Sequence, residues 1–160
     1  YGSYEDNGTQ YWLIGLVVII IFFICTILFE SLYKALIIIM LIPVSLTGMF
    51  LTFHFGGMEF GTGGFAAMVF LCGLTVNNGI YMINEYKNEC RYIKAYNHKI
   101  IPISLTVLST ILGLIPFLLD GPTERFWFSF AVGSISGLLF SMISVVFTMP
   151  LFLKLHTEVK

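Results

Sequence analysis

Charge is what this 160-residue chain lacks: Lys, Arg, Asp and Glu together make up only 11% of it. An ordinary soluble domain carries about 25%. A globular fold with so few ionic groups could not clothe its own surface. The net charge is −1 and no basic run exists to follow a phosphate backbone, which excludes a nucleic-acid partner. Cysteine is scarce too. Cys25, Cys72 and Cys90 form an odd, scattered set without CxxC spacing, so neither a disulfide framework nor a zinc site is expected. They read as small apolar packing residues. His54 and His98 stand isolated at loop edges and His156 lies in the tail, with no metal spacing between them. No Ser/His/Asp set, phosphate loop or pair of intramembrane carboxylates is visible. The expectation is a protein that is not an enzyme and holds neither cofactor nor metal. The chain starts at Tyr1 rather than Met, with no cleavable leader ahead of its first apolar run, and so reads as a piece of something longer.

Long uncharged sequence is what the chain has instead. Hydrophobic residues make up 58% and the mean hydropathy is +0.92. Five stretches, 11–29, 35–55, 63–84, 100–119 and 126–153, carry no charge and are rich in Leu, Ile, Val and Phe. At 1.5 Å of rise per residue, ~20 residues of helix cross the ~30 Å hydrocarbon core of a bilayer. Lipid offers the backbone no hydrogen bonds, so such stretches become helices. Barrel strands would alternate polar and apolar residues, and these do not. The fold class is therefore an all-α membrane protein, a five-helix transmembrane bundle spanning residues 1–160 as a single domain.

The connections 30–34, 56–62, 85–99 and 120–125 are short, which makes consecutive helices antiparallel neighbours. Lys34, Lys87, Arg91, Lys94, Lys99, Lys154 and Lys160 then fall on one side, and Arg125 alone on the other. The positive-inside rule makes the Lys-rich side cytoplasmic, with the N-terminus outside and the C-terminus inside. The connection 85–99 is the longest and most charged, long enough for a short surface helix. Pro102 falls in the first turn of the fourth span, where a missing N–H costs little, while Pro43 and Pro116 lie deeper and should bend their helices. Phe126, Trp127 and Phe128 open the fifth span as an interfacial anchor.

Polarity enters the membrane mainly in the third span, at Asn77 and Asn78. Two adjacent amides cannot face lipid without a desolvation cost of several kcal/mol. At 100° per residue Asn77, Tyr81, Asn84 and Glu85 run down roughly one face, with Asn78 beside them. This pattern fits interhelical hydrogen bonding, and it also fits an ion or proton pathway through the bundle interior. Thr106, in the fourth span, lies at matching depth, so contact with Asn77 is possible, though a membrane hydroxyl often bonds only its own backbone. Lys99, nearer the cytoplasm, is placed either to snorkel to the interface or to act as a counter-charge. The expectation is that Asn77, Asn78 and Thr106 face the bundle interior. In the fifth span Gly133, Gly137 and Ser141 recur every fourth residue, a spacing that lets two helix backbones approach closely.

The run Gly73-Leu74-Thr75-Val76-Asn77-Asn78-Gly79-Ile80 resembles the Gly-x-x-x-x-Asn-Gly/Ala segment in the antepenultimate helix of resistance–nodulation–division (RND) efflux transporters. Leu28-Phe29-Glu30-Ser31 is similar to the close of that family's eighth helix. Pro102-Ile103-Ser104-Leu105-Thr106 with Leu112-Gly113-Leu114-Ile115-Pro116 resembles its eleventh, and Val132-Gly133-Ser134-Ile135-Ser136-Gly137 with Pro150-Leu151 its twelfth. The resemblance covers nearly the whole chain in order and topology. It implies helices eight to twelve of a twelve-helix exporter in a bacterial inner membrane, trading protons for drugs, hydrophobic compounds or metal ions. It further implies an N-terminal transmembrane half, a periplasmic porter domain, a homotrimer, and a periplasmic adaptor and outer-membrane channel as partners. The proton-binding acids of the family lie on its fourth helix, outside this chain, and their polar partners map onto Asn77, Lys99 and Thr106. Drug-exporting members carry Lys where this chain has Asn77 and Arg where it has Lys99; Thr106 conforms. Asn78-Gly79 is more like the metal-exporting branch. Two other readings are a protein-export membrane component of related fold and a membrane scaffold subunit without transport activity.

Overall fold

A computed structural model of the chain describes residues 7–89, 92–119, 121 and 124–158. They form α1 (Asn7–Phe29), α2 (Leu32–Phe55), α3 (Thr62–Glu89), α4 (Tyr92–Leu119) and α5 (Arg125–Glu158). Each contains a stretch long and apolar enough to cross a membrane. The expected connection 30–34 shrinks to two residues. Glu30 adopts a left-handed φ of 48°, and Ser31, extended at φ −153° and ψ 114°, starts α2. At the far end of α2 the chain turns through Gly57, whose φ of 58° is costly for any residue with a side chain. The Gly56 N–H closes the helix by donating to the Thr52 carbonyl at 2.9 Å.

The largest departure from the expected spans lies in 85–99. Among the described residues there, the chain remains helical through Glu89 and again from Tyr92. The buried stripes of α3 and α4 continue into this region: Met82, Ile83 and Ala95 are fully buried, and Tyr86 and Tyr96 pack against the same cluster. Side chains that keep the helical period past the apolar span keep the helix going as well. Pro102 therefore lies inside α4 rather than in its first turn. Its missing N–H removes one bond from the helical ladder.

α2, α3 and α5 form the centre, with α5 lying along both of the others. α1 packs on α2 and α3, α4 packs on α3 and α5, and α1 does not meet α4. α3 thus touches all four other helices, and its remaining face opens between α1 and α4. The apolar core divides in two along α2, with Ile38 and Leu41 in one cluster and Met49 and Phe53 in the other. Ser45 sits at the division. α1 buries little: Trp12, Phe23 and Ile27 are among the apolar side chains it leaves exposed, as a lipid-facing helix does.

Candidate functional site

Where the two core clusters meet, the bundle is polar. Thr75 donates its hydroxyl to Ser45 Oγ at 3.1 Å, and Ser45 donates to the Ile42 carbonyl at 2.9 Å. Asn78, 3% exposed, points its amide nitrogen at Ser141 Oγ, 3.5 Å away. The fifth helix comes close enough for this because of its small residues. A Cβ on Gly133 would stand 3.0 Å from the Phe53 ring and 3.1 Å from Ala67, and one on Gly137 would collide with the Leu71 side chain. Gly133, Gly137 and Ser141 all face inward, toward α2 and α3. Asn78 belongs to this interior layer and not to an open path.

Asn77 and Thr106 lie elsewhere. On α3, Gly73, Tyr81 and Asn84 are exposed and Asn77 is half-buried on the same face. On α4, Pro102, Thr106, Ser109, Gly113 and Pro116 are all exposed. Their spacing of four, three, four and three residues keeps them on one line. A second exposed line on α4, Ile101, Leu105, Leu108, Leu112 and Leu119, is wholly apolar and suits lipid. The first does not. The Thr106 hydroxyl donates to the Pro102 carbonyl at 3.0 Å, and Thr110 donates to the Thr106 carbonyl at 2.8 Å. No hydrogen bond joins Thr106 to Asn77, whose amide has no partner among the described residues. Of the three residues expected inside the bundle, the five helices enclose only Asn78.

Lys99 is not a lone snorkelling cation. Its Nζ lies 3.3 Å from Glu85 Oε2, and His98 Nδ1 lies 3.2 Å from Glu85 Oε1. His98 is therefore not isolated, as its position in the sequence suggested. Glu85 is 15% exposed, Lys99 33% and His98 57%, so the carboxylate is the covered member of the cluster. Asn77, Tyr81 and Glu85 follow one another at four-residue steps on α3. Lys99, Thr106 and Gly113 follow at seven-residue steps on α4, so the Glu85–Lys99 pair ties two polar lines together at one end of the hairpin. Sequence reasoning missed this pairing because it treated 85–99 as a loop. The available signal was an acid, Glu85, directly after the third uncharged stretch and two bases, His98 and Lys99, directly before the fourth.

At the opposite end a cavity of about 660 Å³ opens between the α2–α3 loop and the start of α5, lined by Met58, Glu59, Thr62, Gly63, Arg125 and Phe126 among others. Arg125 and Glu59 are 4.0 Å apart and both highly exposed, so their pairing is worth little. Phe117 stacks on Trp127 with ring centroids 5.0 Å apart, closing the aromatic end of the bundle.

Long apolar helices with a polar layer inside and leucines facing outward describe a multi-pass membrane protein. The family model of the AcrB/AcrD/AcrF family matches residues 2–156. The chain belongs to that family, as part of the membrane domain of an RND-type transporter.

Proposed function

We propose that these helices are the last five of a twelve-helix, proton-driven exporter of drugs, hydrophobic compounds or metal ions. On this reading the Lys-rich end faces the cytoplasm of a bacterial inner membrane. The other transmembrane half and the porter domain complete a protomer that trimerises and engages an adaptor and an outer-membrane channel. One observation carries the reading: the amide of Asn77, half-buried on α3, has no partner among the described residues, and beside it the small line of Thr106, Ser109 and Gly113 on α4 is open. Thr and Asn side chains exposed to hydrocarbon cost free energy, so this face requires a polar neighbour. A helix bearing the proton-binding carboxylates meets that need. Asn77 then serves as a hydrogen-bond donor to a carboxylate without supplying charge, and Thr106 as a hydroxyl free to leave its backbone bond. A scaffold subunit would need no such neighbour with ionisable groups.

The test is export by the full-length protein carrying Asn77→Leu or Thr106→Val, with expression matched to wild type. Loss of proton-driven export with assembly intact is expected. Undiminished export in both variants would reduce these residues to packing.

A further inference from the structure

We propose that Glu85 and His98 form the cytoplasmic proton port of this transporter, with Lys99 holding the carboxylate in place. The inference rests on the proton-driven reading above and adds to it a pair of residues on this chain. A carboxylate at the end of a membrane helix, covered by two basic groups from the neighbouring helix, has more partners than a brace between two helices requires. Lys99 alone, 3.3 Å away, would provide the brace. The second partner is an imidazole 3.2 Å away whose own ring is more than half exposed, so it connects a shielded acid to water. Imidazole is the side-chain base suited to accepting and releasing a proton near neutral pH.

The geometry on the membrane side is complementary. Tyr81 and Asn77 precede Glu85 by one and two turns on the same face of α3. A groove of about 200 Å³ lies beside Tyr81 between α1 and α3, lined also by Leu28, Phe29, Ile80, Asn84 and Lys87. The other titratable groups described at this end are Tyr86 and Lys87 on α3, Tyr96 on α4, and Glu30, Tyr33 and Lys34 around the α1–α2 turn.

The step balances as a proton transfer alone. A proton reaching Glu85 makes it a carboxylic acid, and its O–H donates to His98 Nδ1. The proton crosses, leaving a carboxylate beside the Lys99 ammonium and an imidazolium on His98. The imidazolium then gives its Nε2 proton to water, and exchange of the Nδ1 proton with water returns the neutral ring to the tautomer whose Nδ1 accepts. One O–H bond is broken, one N–H bond forms at Nδ1 and one breaks at Nε2, and one proton enters the cytoplasm.

The experiment uses the full-length transporter in phosphatidylethanolamine/phosphatidylglycerol vesicles with pyranine trapped inside, and reads proton flux under an imposed pH gradient. Glu85→Gln should lower the flux tenfold or more, and the dependence of flux on the pH at the Lys-rich face should flatten. His98→Ala should lower it severalfold, and free imidazole added at that face should restore it, because the site is open to water. The exchange Glu85→Lys with Lys99→Glu preserves the brace but moves the carboxylate away from its place in the line; flux should stay low. Recovery of flux in the exchanged variant, or a wild-type flux and pH profile in Glu85→Gln, would overturn the port. So would failure of imidazole to restore His98→Ala. If the wild-type protein itself carries no proton flux, the proton-driven reading falls, and the port with it.

Discussion

Replacing Gly137 by alanine tests whether the α3–α5 interface is as tight as its geometry requires. A Cβ built there runs into Leu71, reaching its Cδ2 at 2.7 Å and its Cγ at 3.0 Å. Leu71 is fully buried, so it cannot swing away into lipid. Overpacking of this kind costs about 1–3 kcal/mol. Against it stands the helical preference of Ala over Gly, about 1 kcal/mol. The net expectation is a loss of up to about 2 kcal/mol, and a clear deficit against a site where alanine meets nothing. Gly15, exposed on the lipid-facing α1, supplies the control, since a Cβ there meets nothing within 4 Å. Gly15→Ala should be neutral or gain up to about 1 kcal/mol. Leu71→Ala alone should cost about 2–5 kcal/mol through the cavity it leaves. In the double variant the new methyl enters that space, so the combined loss should fall short of the sum by 1 kcal/mol or so. The assay is unfolding of the full-length protein in bicelles by titration with SDS. If Gly137→Ala is as stable as Gly15→Ala, or if the two losses add, the close approach is wrong.

Two further outcomes follow from the backbone and the charge pattern. Glu30 holds a left-handed φ of 48°, which costs a non-glycine residue about 1–2 kcal/mol; Glu30→Gly should gain roughly 0.5–1 kcal/mol in the same assay, because glycine returns part of that gain as extra unfolded-state entropy. A variant no more stable than wild type would place another constraint on that turn. For topology, Asn97→Cys and Arg125→Cys in a Cys90→Ser background should react with a membrane-impermeant maleimide from opposite faces, Asn97 from the cytoplasm, as the Lys distribution requires; labelling of both from one face would contradict the alternating spans.

The spans were legible because hydropathy and length alone decide them. Inside a bilayer no soluble core competes with the helix for apolar sequence. The Gly133–Gly137–Ser141 line was legible for a related reason, since small residues at four-residue spacing point to one close helix contact. Helix ends were less visible. Glu89 and Tyr92 bound helices that outrun their apolar stretches, because Tyr86, Ala95 and Tyr96 continue the buried stripe among charged neighbours. A search for uncharged sequence stops at the first charge, whereas a helix stops only when its hydrogen bonds and packing do. The pair Glu85–Lys99 disappeared behind that boundary, and Ser45 and Thr75 were missed because single hydroxyls carry no pattern.

Asn77 and Asn78 show why adjacency in sequence misleads about role. One residue along a helix is 100° around it, enough to place Asn78 against Ser141 in the bundle interior and Asn77 on the face between α1 and α4. The buried amide already has a partner within these five helices. The half-buried one has none among the described residues, whereas on α4 the Thr106 hydroxyl donates to the carbonyl of Pro102. Both amides raise the same desolvation cost, but the structure meets only the first. The desolvation cost that the described helices leave unmet is therefore that of the Asn77 amide, and Lys99, already held by Glu85 at 3.3 Å, does not meet it.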